Sequence, residues 1–448
     1  MKPKYFLALG LLVLGLGSCG ESFFEQYPSN NITEGNFYKT DDDFNQGVVA
    51  CYAKLKTQMS FHLTEIGYRG DENVLESMAV STQNRYDIDH FAETANNGIL
   101  NDIWNAWYNG IYRCNDVLDH MTGAKIANYD KYRGECLFLR SWWYFNLYRV
   151  FGVVPITRTV VTPAAAKLIP RCTEEEMYTL LTEDLAEAAR LLPPTPGPEK
   201  ARVANIAAYT LLAKVYLTFG KPAEAKTALE EAMKNTSYGL ESTTKKVFDV
   251  GNKMNREIIF ALYYNKTNDN GHGYWYSANT DVLADINNPT PTFKAIYDSE
   301  KDNRLPLISS YTKIKDNLFA MTKWYDTYDA TYTTQVGNDF PHLRYADVVL
   351  MYAEALAESG GSLGDALEWL NKTRTRAGLD ELTTDEVKSL AEFRRELAAE
   401  RGREFALEGH RWFDLVRLGL AVDYFREMGY SLDSHNLIFP IPQNQIEI

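Results

Sequence analysis

The stretch ANIAAYTLLAKVYLTFGKPAEAKTALEEAM, residues 204–233, decides the fold of this chain. Apolar residues recur along it three and four positions apart, which is typical of amphipathic helices. Small residues at Ala213 and Ala225 allow two antiparallel helices to pack closely. The spacing therefore predicts a helical hairpin. The positions that carry the pattern are Tyr209, Leu212, Ala213, Tyr216, Ala225, Leu229 and Ala232.

A second unit of the same kind lies nearer the C-terminus, where a Gly360-Gly361 turn carries one extra residue. Its marker positions are Ala353, Leu356, Ala366, Leu370 and Thr373. These offsets are those of the tetratricopeptide repeat, in which a single hairpin cannot bury both of its faces and must stack on neighbours. We therefore predict an all-α, tetratricopeptide-like helical repeat scaffold. The helices expected between Ile99 and Val150 would supply the neighbouring layer.

Further helices are predicted from apolar periodicity at Asp42–Met59, Ile99–Met121 and Tyr129–Val150. Another helix opens with a capping box, in which Thr173 and Glu176 each satisfy a free amide at the helix start. It should end at Pro193-Pro194, because proline lacks the amide hydrogen that continues a helix.

Between Thr236 and Phe340 the helical period disappears for 105 residues, which is too long for a simple connection in a compact array. Because 17 of these residues are aromatic, the segment has enough apolar surface to fold. Only Glu257–Tyr264 has the composition of a strand. We predict a long irregular insertion at about 236–340.

The N-terminus has the features of an export signal. Two lysines precede a short apolar run, Tyr5–Gly17, and Leu16-Gly17-Ser18-Cys19 then resembles a bacterial lipobox. This predicts a lipoprotein signal peptide at 1–18, acyl chains on Cys19, a tether at 19–40 and a folded domain at 41–448. Several acyl chains would hold the protein on a membrane. The alternative is an ordinary secretory signal with Cys19 unmodified.

Composition limits the partners of this 448-residue chain. A net charge of -14 argues against a nucleic-acid partner, because phosphate binding needs clustered cations. The remaining cysteines stand singly in apolar stretches and are predicted to be buried free thiols, although a disulfide among them stays possible. They are Cys51, Cys114, Cys136 and Cys172.

No catalytic, cofactor or metal motif stands out. The seven histidines are scattered, and nucleotide-binding glycine motifs and a serine nucleophile elbow are missing. The stretch Asn268–Gly271 lacks the glutamate of a calcium loop, so a turn is the better interpretation. Glu400, Glu404 and Glu408 fall on one helical stripe among arginines, which predicts structural ion pairs and not an active site. We therefore expect neither catalytic residues nor a cofactor.

Four blocks resemble the signature segments of RagB/SusD outer-membrane lipoproteins. They are Asn105–Asn115, Glu135–Arg140 continuing to Phe151–Pro155, Arg344–Ala355 with Asn371 and Arg374–Gly378, and Glu400–Arg417. The last block is the most specific. The resemblance covers nearly the whole chain after the tether.

What this resemblance implies is a glycan-binding protein anchored on the outer membrane and facing the cell exterior, without catalytic activity. Its partners would be an oligosaccharide and a TonB-dependent barrel transporter, to which the sugar is delivered. In the family the glycan lies against an aromatic arc with polar groups from the N-terminal half. The corresponding polar residues here are Arg69, Asp71, Asn96 and Asn97.

Sugar binding needs flat aromatic faces for the C–H surface of the ring and polar groups for its hydroxyls. Candidate platforms are the run Tyr274, Trp275 and Tyr276 and the exposed-looking pair Trp324-Tyr325, with core packing as the alternative for each. The remaining tryptophans have helical packing positions and are predicted to be core, namely Trp104, Trp107, Trp142, Trp143 and Trp412.

Two rival functions stay open at this point. The chain could be a helical-repeat scaffold that binds proteins or peptides, because stacked hairpins form concave surfaces. A glycoside hydrolase is the third possibility, since 60 acidic residues offer many carboxylate pairs and only geometry distinguishes them.

Overall fold

The computed structural model describes residues 37–72, 83–197, 199–265, 277–279, 289–315, 318–326 and 337–446. The helices of these ranges are α1 (Asp41–Gly67), α2 (Gln83–Asp89), α3 (Gly98–His120), α4 (Tyr129–Phe151), α5 (Pro163–Ala166), α6 (Glu174–Leu191), α7 (Asn205–Thr218), α8 (Pro222–Met233), α9 (Thr244–Val247), α10 (Pro291–Lys294), α11 (Leu305–Ser309), α12 (Tyr345–Glu358), α13 (Leu363–Arg376), α14 (Leu390–Glu404), α15 (Arg411–Arg417), α16 (Ala421–Glu427) and α17 (Gln443–Ile446). The strands are β1 (Ile258–Leu262), β2 (Ser277–Asn279), β3 (Tyr311–Lys315), β4 (Leu318–Met321) and β5 (Phe340–Arg344).

The long helices stack in an array that follows chain order. Helix α1 packs on α3, α3 on α4, α4 on α6, α6 on α7 and α7 on α8. Helix α8 then packs on α12, and α12 packs on α13. Helix α14 lies against α12 and α13. The two predicted hairpins are α7–α8 and α12–α13. The predicted all-α, tetratricopeptide-like scaffold is therefore confirmed.

Most predicted helix limits hold to within a residue or two. The capping box of α6 is present, with the Glu176 amide donating to the Thr173 hydroxyl at 3.2 Å and the Thr173 amide to the Glu176 carboxylate at 2.7 Å. Helix α1 is longer than predicted and ends at Gly67, because Leu63 and Ile66 carry its buried face onward.

The insertion holds more strands than the one predicted. Strand β1 lies inside the predicted segment Glu257–Tyr264 and pairs antiparallel with β5, while β2, β4 and β3 form a second small sheet. The expectation of a single strand is wrong. Strand β5 escapes prediction because all five of its residues are buried and Pro341 and His342 interrupt it, so it shows no apolar alternation.

The core contains the five tryptophans predicted for it, Trp104, Trp107, Trp142, Trp143 and Trp412. Gly110 on α3 lies against the Trp143 indole, where an added Cβ would be 2.2 Å from the ring. The four cysteines of the described chain are free, and Cys51, Cys114 and Cys136 are buried.

Buried ion pairs join the insertion to the last helices, and the stripe Glu400, Glu404 and Glu408 lies at their centre. Arg344, at the end of β5, donates to Glu404 at 3.0 Å and to Glu408 at 2.8 Å. Arg304 donates to Glu400 at 2.7 Å and to Glu404 at 3.1 Å. The predicted structural role of the stripe is confirmed.

Partners from outside the C-terminal block complete this network. Lys323 donates to Glu408 at 2.7 Å, and Arg376 at the end of α13 donates to Glu404 at 2.5 Å and to Glu257 at 2.7 Å. These side chains are at most 5% exposed. The network therefore fixes the insertion, α13 and α14 relative to one another.

Replacing Arg344 with Met leaves Glu257, Glu404 and Glu408 buried with one partner fewer. We expect the free energy of unfolding to fall by about 3–5 kcal/mol, because an uncompensated buried charge is costly. Urea denaturation followed by circular dichroism measures this change. The control is Arg158→Met, which breaks an exposed pair with Glu183 and should cost less than about 1 kcal/mol. Equal losses in the two variants would contradict the structural role of the network.

Candidate functional site

The predicted aromatic run Tyr274, Trp275 and Tyr276 lies outside the described residues, as does the turn predicted at Asn268–Gly271. The described chain stops at Asn265 and resumes at Ser277. Where these three rings lie stays a prediction.

Trp324 is not an exposed platform, and that prediction is wrong. Its side chain is 1% exposed and packs edge-on against Phe248, with the ring centroids 5.1 Å apart. A cavity of about 20 Å³ beside it has room for a water molecule and not for a sugar ring. Its neighbour Tyr325 is half-buried. The core-packing alternative therefore applies to Trp324.

Arg69 is fully buried at the far end of α1. Its guanidinium pairs with Glu93, donates to the carbonyl of Asn436 and lies 4.0 Å from the centre of the Phe439 ring. Burial lowers the pKa of Arg69 to about 9. The predicted polar contact with a ligand is therefore wrong for Arg69, which holds the C-terminal segment in place.

Asp71 and Asn97 are also buried and bonded. Asp71 accepts from Arg411 at 2.9 Å and from the hydroxyl of Tyr424. Asn97 caps α3, where its side chain accepts from the Ile99 amide at 3.0 Å. The Asp71 side chain holds Arg411 and Tyr424, and the Asn97 side chain holds the start of α3, so their prediction as sugar contacts is wrong in this structure. Asn96 is exposed and stays a candidate.

Residues at the end of α1 and in the insertion, which hydrogen bonds connect to one another or to the helical body, form a group that we call the stem edge. It consists of Asp71–Glu72, Thr290, Tyr325–Asp326, Gly337–Asp339 and Tyr263–Asn265. In the sequence these residues flank or lie near segments 73–82, 266–276, 280–288 and 327–336.

Hydrogen bonds join one half of the stem edge. The Thr290 hydroxyl donates to the carbonyl of Asp71 at 2.8 Å, which connects the end of α1 with the insertion. The amide of Leu407 donates to Glu72 at 3.0 Å. Lys323 donates to the carbonyl of Ala406, the residue before Leu407, at 2.5 Å.

The other half is tied to the middle of α1. The amide of Tyr264 and the ammonium of Lys253 donate to Asp339 at 2.9 and 2.8 Å. The Tyr264 hydroxyl donates to the carbonyl of Lys56 at 3.1 Å. Helix α1 rises about 16 Å between Lys56 and Gly67, at about 1.5 Å per residue, so the edge is long enough for several sugar rings.

The described part of this edge includes an aromatic side chain that the sequence did not single out. Tyr263 is 44% exposed and the Lys253 ammonium lies 4.5 Å from the centre of its ring. Tyr263 follows β1, in which every side chain is buried. The only sequence signal for the exposure of Tyr263 is its position near the end of the predicted strand Glu257–Tyr264, where buried and exposed side chains begin to alternate.

A groove of about 500 Å³ opens next to Asp71 between α14, α15 and α16. Tyr424 is half-buried in its wall, and Arg411 lies 4.9 Å from the centre of the Tyr424 ring. The other residues that line the groove are Ile296, Arg395, Ala398, Ala399, Leu415, Leu420, Asp423, Arg426 and Glu427. It combines an aromatic ring, guanidinium groups and carboxylates, which are the groups that bind sugars.

Comparison with known proteins identifies the family. A sequence profile of the SusD family matches residues 297–448. A second profile, described as starch-binding and associating with the outer membrane, matches residues 27–217. The chain belongs to the SusD family.

Relatives of this SusD-family protein match over nearly its whole length. SusD-like protein P2 of Formosa agariphila is 26% identical over 95% of this chain and 93% of the relative. A SusD-like protein from Bacteroides fragilis has a TM-score of 0.79 at 20% identity, covering 94% of this chain and 98% of that one. Surface glycan-binding protein A from Bacteroides thetaiotaomicron, in complex with laminarihexaose, has a TM-score of 0.74 at 21% identity, covering 91% and 98%. The two solved structures establish the fold.

Several buried titratable groups of this SusD-family protein form structural ion pairs. Arg401 donates to Asp347 and Asp414 at 2.9 and 2.8 Å. Although burial opposes it, Lys214 and Arg401 hold the pKa of Asp347 well below its usual range, and Arg401 and Arg417 do the same for Asp414. Burial lowers the pKa of His342 to about 3. In the described ranges, no three His, Cys, Asp or Glu residues are placed to hold a metal ion. None of the helices described is long and apolar enough to cross a bilayer.

Glu72 is the titratable group of the stem edge with the largest resolved change. Burial raises its pKa to about 8. The folded chain therefore keeps a proton that the unfolded chain releases above about pH 4.5, and stability falls as the pH rises towards 8. The carboxyl group belongs to the stem edge, where it accepts from the Leu407 amide.

Glu72→Gln cannot ionise and keeps an oxygen acceptor for the Leu407 amide. We expect its free energy of unfolding to fall less between about pH 5 and pH 8 than that of the wild type. Urea denaturation across this range measures both curves. The exposed Glu183→Gln serves as control and should follow the wild type. If the Glu72→Gln and wild-type curves stay parallel, Glu72 does not carry this pH dependence.

Proposed function

We propose that this protein captures oligosaccharides at the cell surface and delivers them to a TonB-dependent transporter in the outer membrane. The observation that carries the proposal is the hydrogen-bonded stem edge, which includes the exposed ring of Tyr263 and adjoins the Tyr424 groove at Asp71. Binding residues on loops that a rigid body positions are the common arrangement for recognition. The predicted platform Trp275 belongs to segment 266–276, which follows Tyr263 closely in the sequence.

The chemistry of the stem edge and of the neighbouring groove suits a neutral polymer of sugar rings. Tyr263 on the edge and Tyr424 in the groove offer partly accessible rings. Arg395 and Asp423 in the groove and the exposed Asn96 offer donors and acceptors for hydroxyls. These are the groups that bind sugar rings and their hydroxyls, which supports a sugar-binding protein.

The names of related proteins support the same class of ligand. One matching profile is described as starch-binding, and one similar structure holds laminarihexaose. These two glucans differ in linkage, so both belong in a ligand panel.

The position of the tether supports capture at the surface. Helix α1 begins at Asp41, directly after the predicted tether, and spans about 40 Å at about 1.5 Å per residue. Asp71 and Glu72 of the stem edge follow its other end. An anchor at Cys19 would therefore leave that end of the edge far from the lipid.

Calorimetry with laminarihexaose and maltohexaose tests glycan binding. Trp275→Ala and Tyr263→Ala should each weaken binding of the preferred glycan about tenfold, because a lost stacking face removes both apolar contact and ring attraction. The melting temperature should stay nearly unchanged. Tyr112→Ala, an equally exposed tyrosine on α3, is the matched control. Wild-type affinity in both site variants would refute the site, and growth of reducing ends with time would favour a hydrolase.

The anchor and the transporter are tested together in cells. Cys19→Ala should abolish labelling by a fatty-acid probe and move the protein out of the outer-membrane fraction, since the acyl chains supply the membrane affinity. Purification of the lipidated wild type should recover a large barrel protein, identified by mass spectrometry. An unlabelled wild-type chain would reject the anchor, and purification without a barrel would reject the transporter.

A further inference from the structure

Three buried thiols lie together in the core, where α1, α3 and α4 pack on one another. Cys51 is on α1, Cys114 is on α3 and Cys136 is on α4, and the side chains of all three are closed off from solvent. We call these residues the thiol cluster. The cluster belongs neither to the stem edge nor to the Tyr424 groove, so the proposed glycan site leaves its chemistry unused.

The contact between α1 and α3 brings the cysteines of these two helices to the same level. At one end of the contact, a Cβ added to Gly47 would be 3.1 Å from a methyl carbon of Val117. At the other end, the Trp107 indole donates to His62 at 3.1 Å. The two helices are therefore antiparallel. The cysteine of α1 lies between Gly47 and His62, and the cysteine of α3 lies between Trp107 and Val117.

Cys51 is the centre of the cluster. Its thiol donates to the Gly47 carbonyl at 3.4 Å, and its sulfur accepts from the thiols of Cys114 and Cys136. These two hydrogen bonds lower the pKa of Cys51 despite its burial, whereas burial and the bond to Cys51 raise the pKa of Cys114. Because the thiolate is the form that attacks a disulfide, Cys51 is the nucleophile of the cluster.

Cys114 is better placed than Cys136 to become covalently bound to Cys51. A disulfide needs two Cα atoms about 4–7 Å apart, which is closer than most helix pairs bring their side chains. Gly47 has no side chain and lies one turn before Cys51, so it lets α1 approach α3 at this level. Helix α1 also packs more extensively on α3 than on α4.

We propose that oxidation joins Cys51 and Cys114 in a disulfide that ties α1 to α3. The oxidant is itself a disulfide. The Cys51 thiolate attacks one sulfur of the oxidant, and the thiolate that leaves takes up the proton of Cys51. The Cys114 thiolate then attacks the Cys51 sulfur of the mixed disulfide, and the second leaving thiolate takes up the proton of Cys114.

The exchange takes place while the chain folds, because the closed core excludes the oxidant. The supply of oxidant in the cell rests on the proposed export, since disulfides form in compartments outside the cytoplasm. The choice of Cys114 as the partner rests on the fold alone. The new bond holds α1 between the predicted tether, which precedes Asp41, and the stem edge, which begins at Asp71.

Peptide mapping tests the pairing, because each cysteine of the cluster and Cys172 fall in separate tryptic peptides, namely 40–54, 114–125, 134–140 and 172–190. The full chain is expressed with its export signal and denatured in urea with N-ethylmaleimide and no reductant. A second sample is reduced, unfolded in urea and refolded with reduced and oxidised glutathione before the same treatment. In both samples we expect the Cys51 peptide linked to the Cys114 peptide, with Cys136 and Cys172 alkylated.

Thermal unfolding with and without dithiothreitol measures what the bond does. The disulfide closes a loop of about 60 residues in the unfolded chain, so the oxidised protein should melt several degrees above the reduced protein. Cys51→Ala should abolish this difference and leave Cys114 and Cys136 alkylated. Cys172→Ala, the matched control, should keep both the link and the difference in melting temperature.

Two results overturn the proposal. Alkylation of all the cysteines in the exported and the refolded sample shows that the cluster stays reduced even when an oxidant is supplied. A link from the Cys51 peptide to that of Cys136 or of Cys172 shows that the pairing is wrong. Glycan binding and cellular lipidation affect neither the peptide map of the refolded chain nor its melting temperature.

Discussion

The constraint on which the rest of the structure depends is the burial of Glu404 among three arginines. Arg304, Arg344 and Arg376 come from the insertion, from β5 and from α13, and all of them donate to this carboxylate. Because buried charges are stable only with good geometry and complete pairing, the three segments can move relative to α14 only at a high cost. The described parts of the insertion around Arg304 and Lys323 are therefore held firmly against α14.

The helical array was predictable because its signals are local. The hairpins α7–α8 and α12–α13 follow from spacings of three and four residues, and the stripe at Glu400, Glu404 and Glu408 follows from the same period. What the sequence could not show is where the opposite charges come from. Arg304 and Lys323 lie about 80 to 100 positions away from their partners, and no local pattern connects them. Strand β5 was missed for a related reason, since burial on every side removes alternation.

The candidate site was harder to predict because residue type does not determine exposure. Arg69, Asp71 and Trp324 stand in polar, loop-like stretches, yet each is buried with partners that lie far away in the chain. Tyr263 is the opposite case, because it directly follows a strand whose side chains are all buried and yet is itself exposed. Aromatic side chains are the right kind of group for a sugar platform. Which of them are exposed depends on how the insertion packs on α1 and α14, and the sequence does not show that packing.

These observations explain how one fold is kept by sequences that differ at most positions. Solved structures with TM-scores of 0.74 to 0.79 are only 20 to 21% identical to this chain. Most surface positions are free to change when stability comes from stacked hairpins and a buried ion network. Exposed side chains contribute little to either, so they can be exchanged without unfolding the body. The scaffold is therefore set by the buried faces of its hairpins and by the ion network around Glu404.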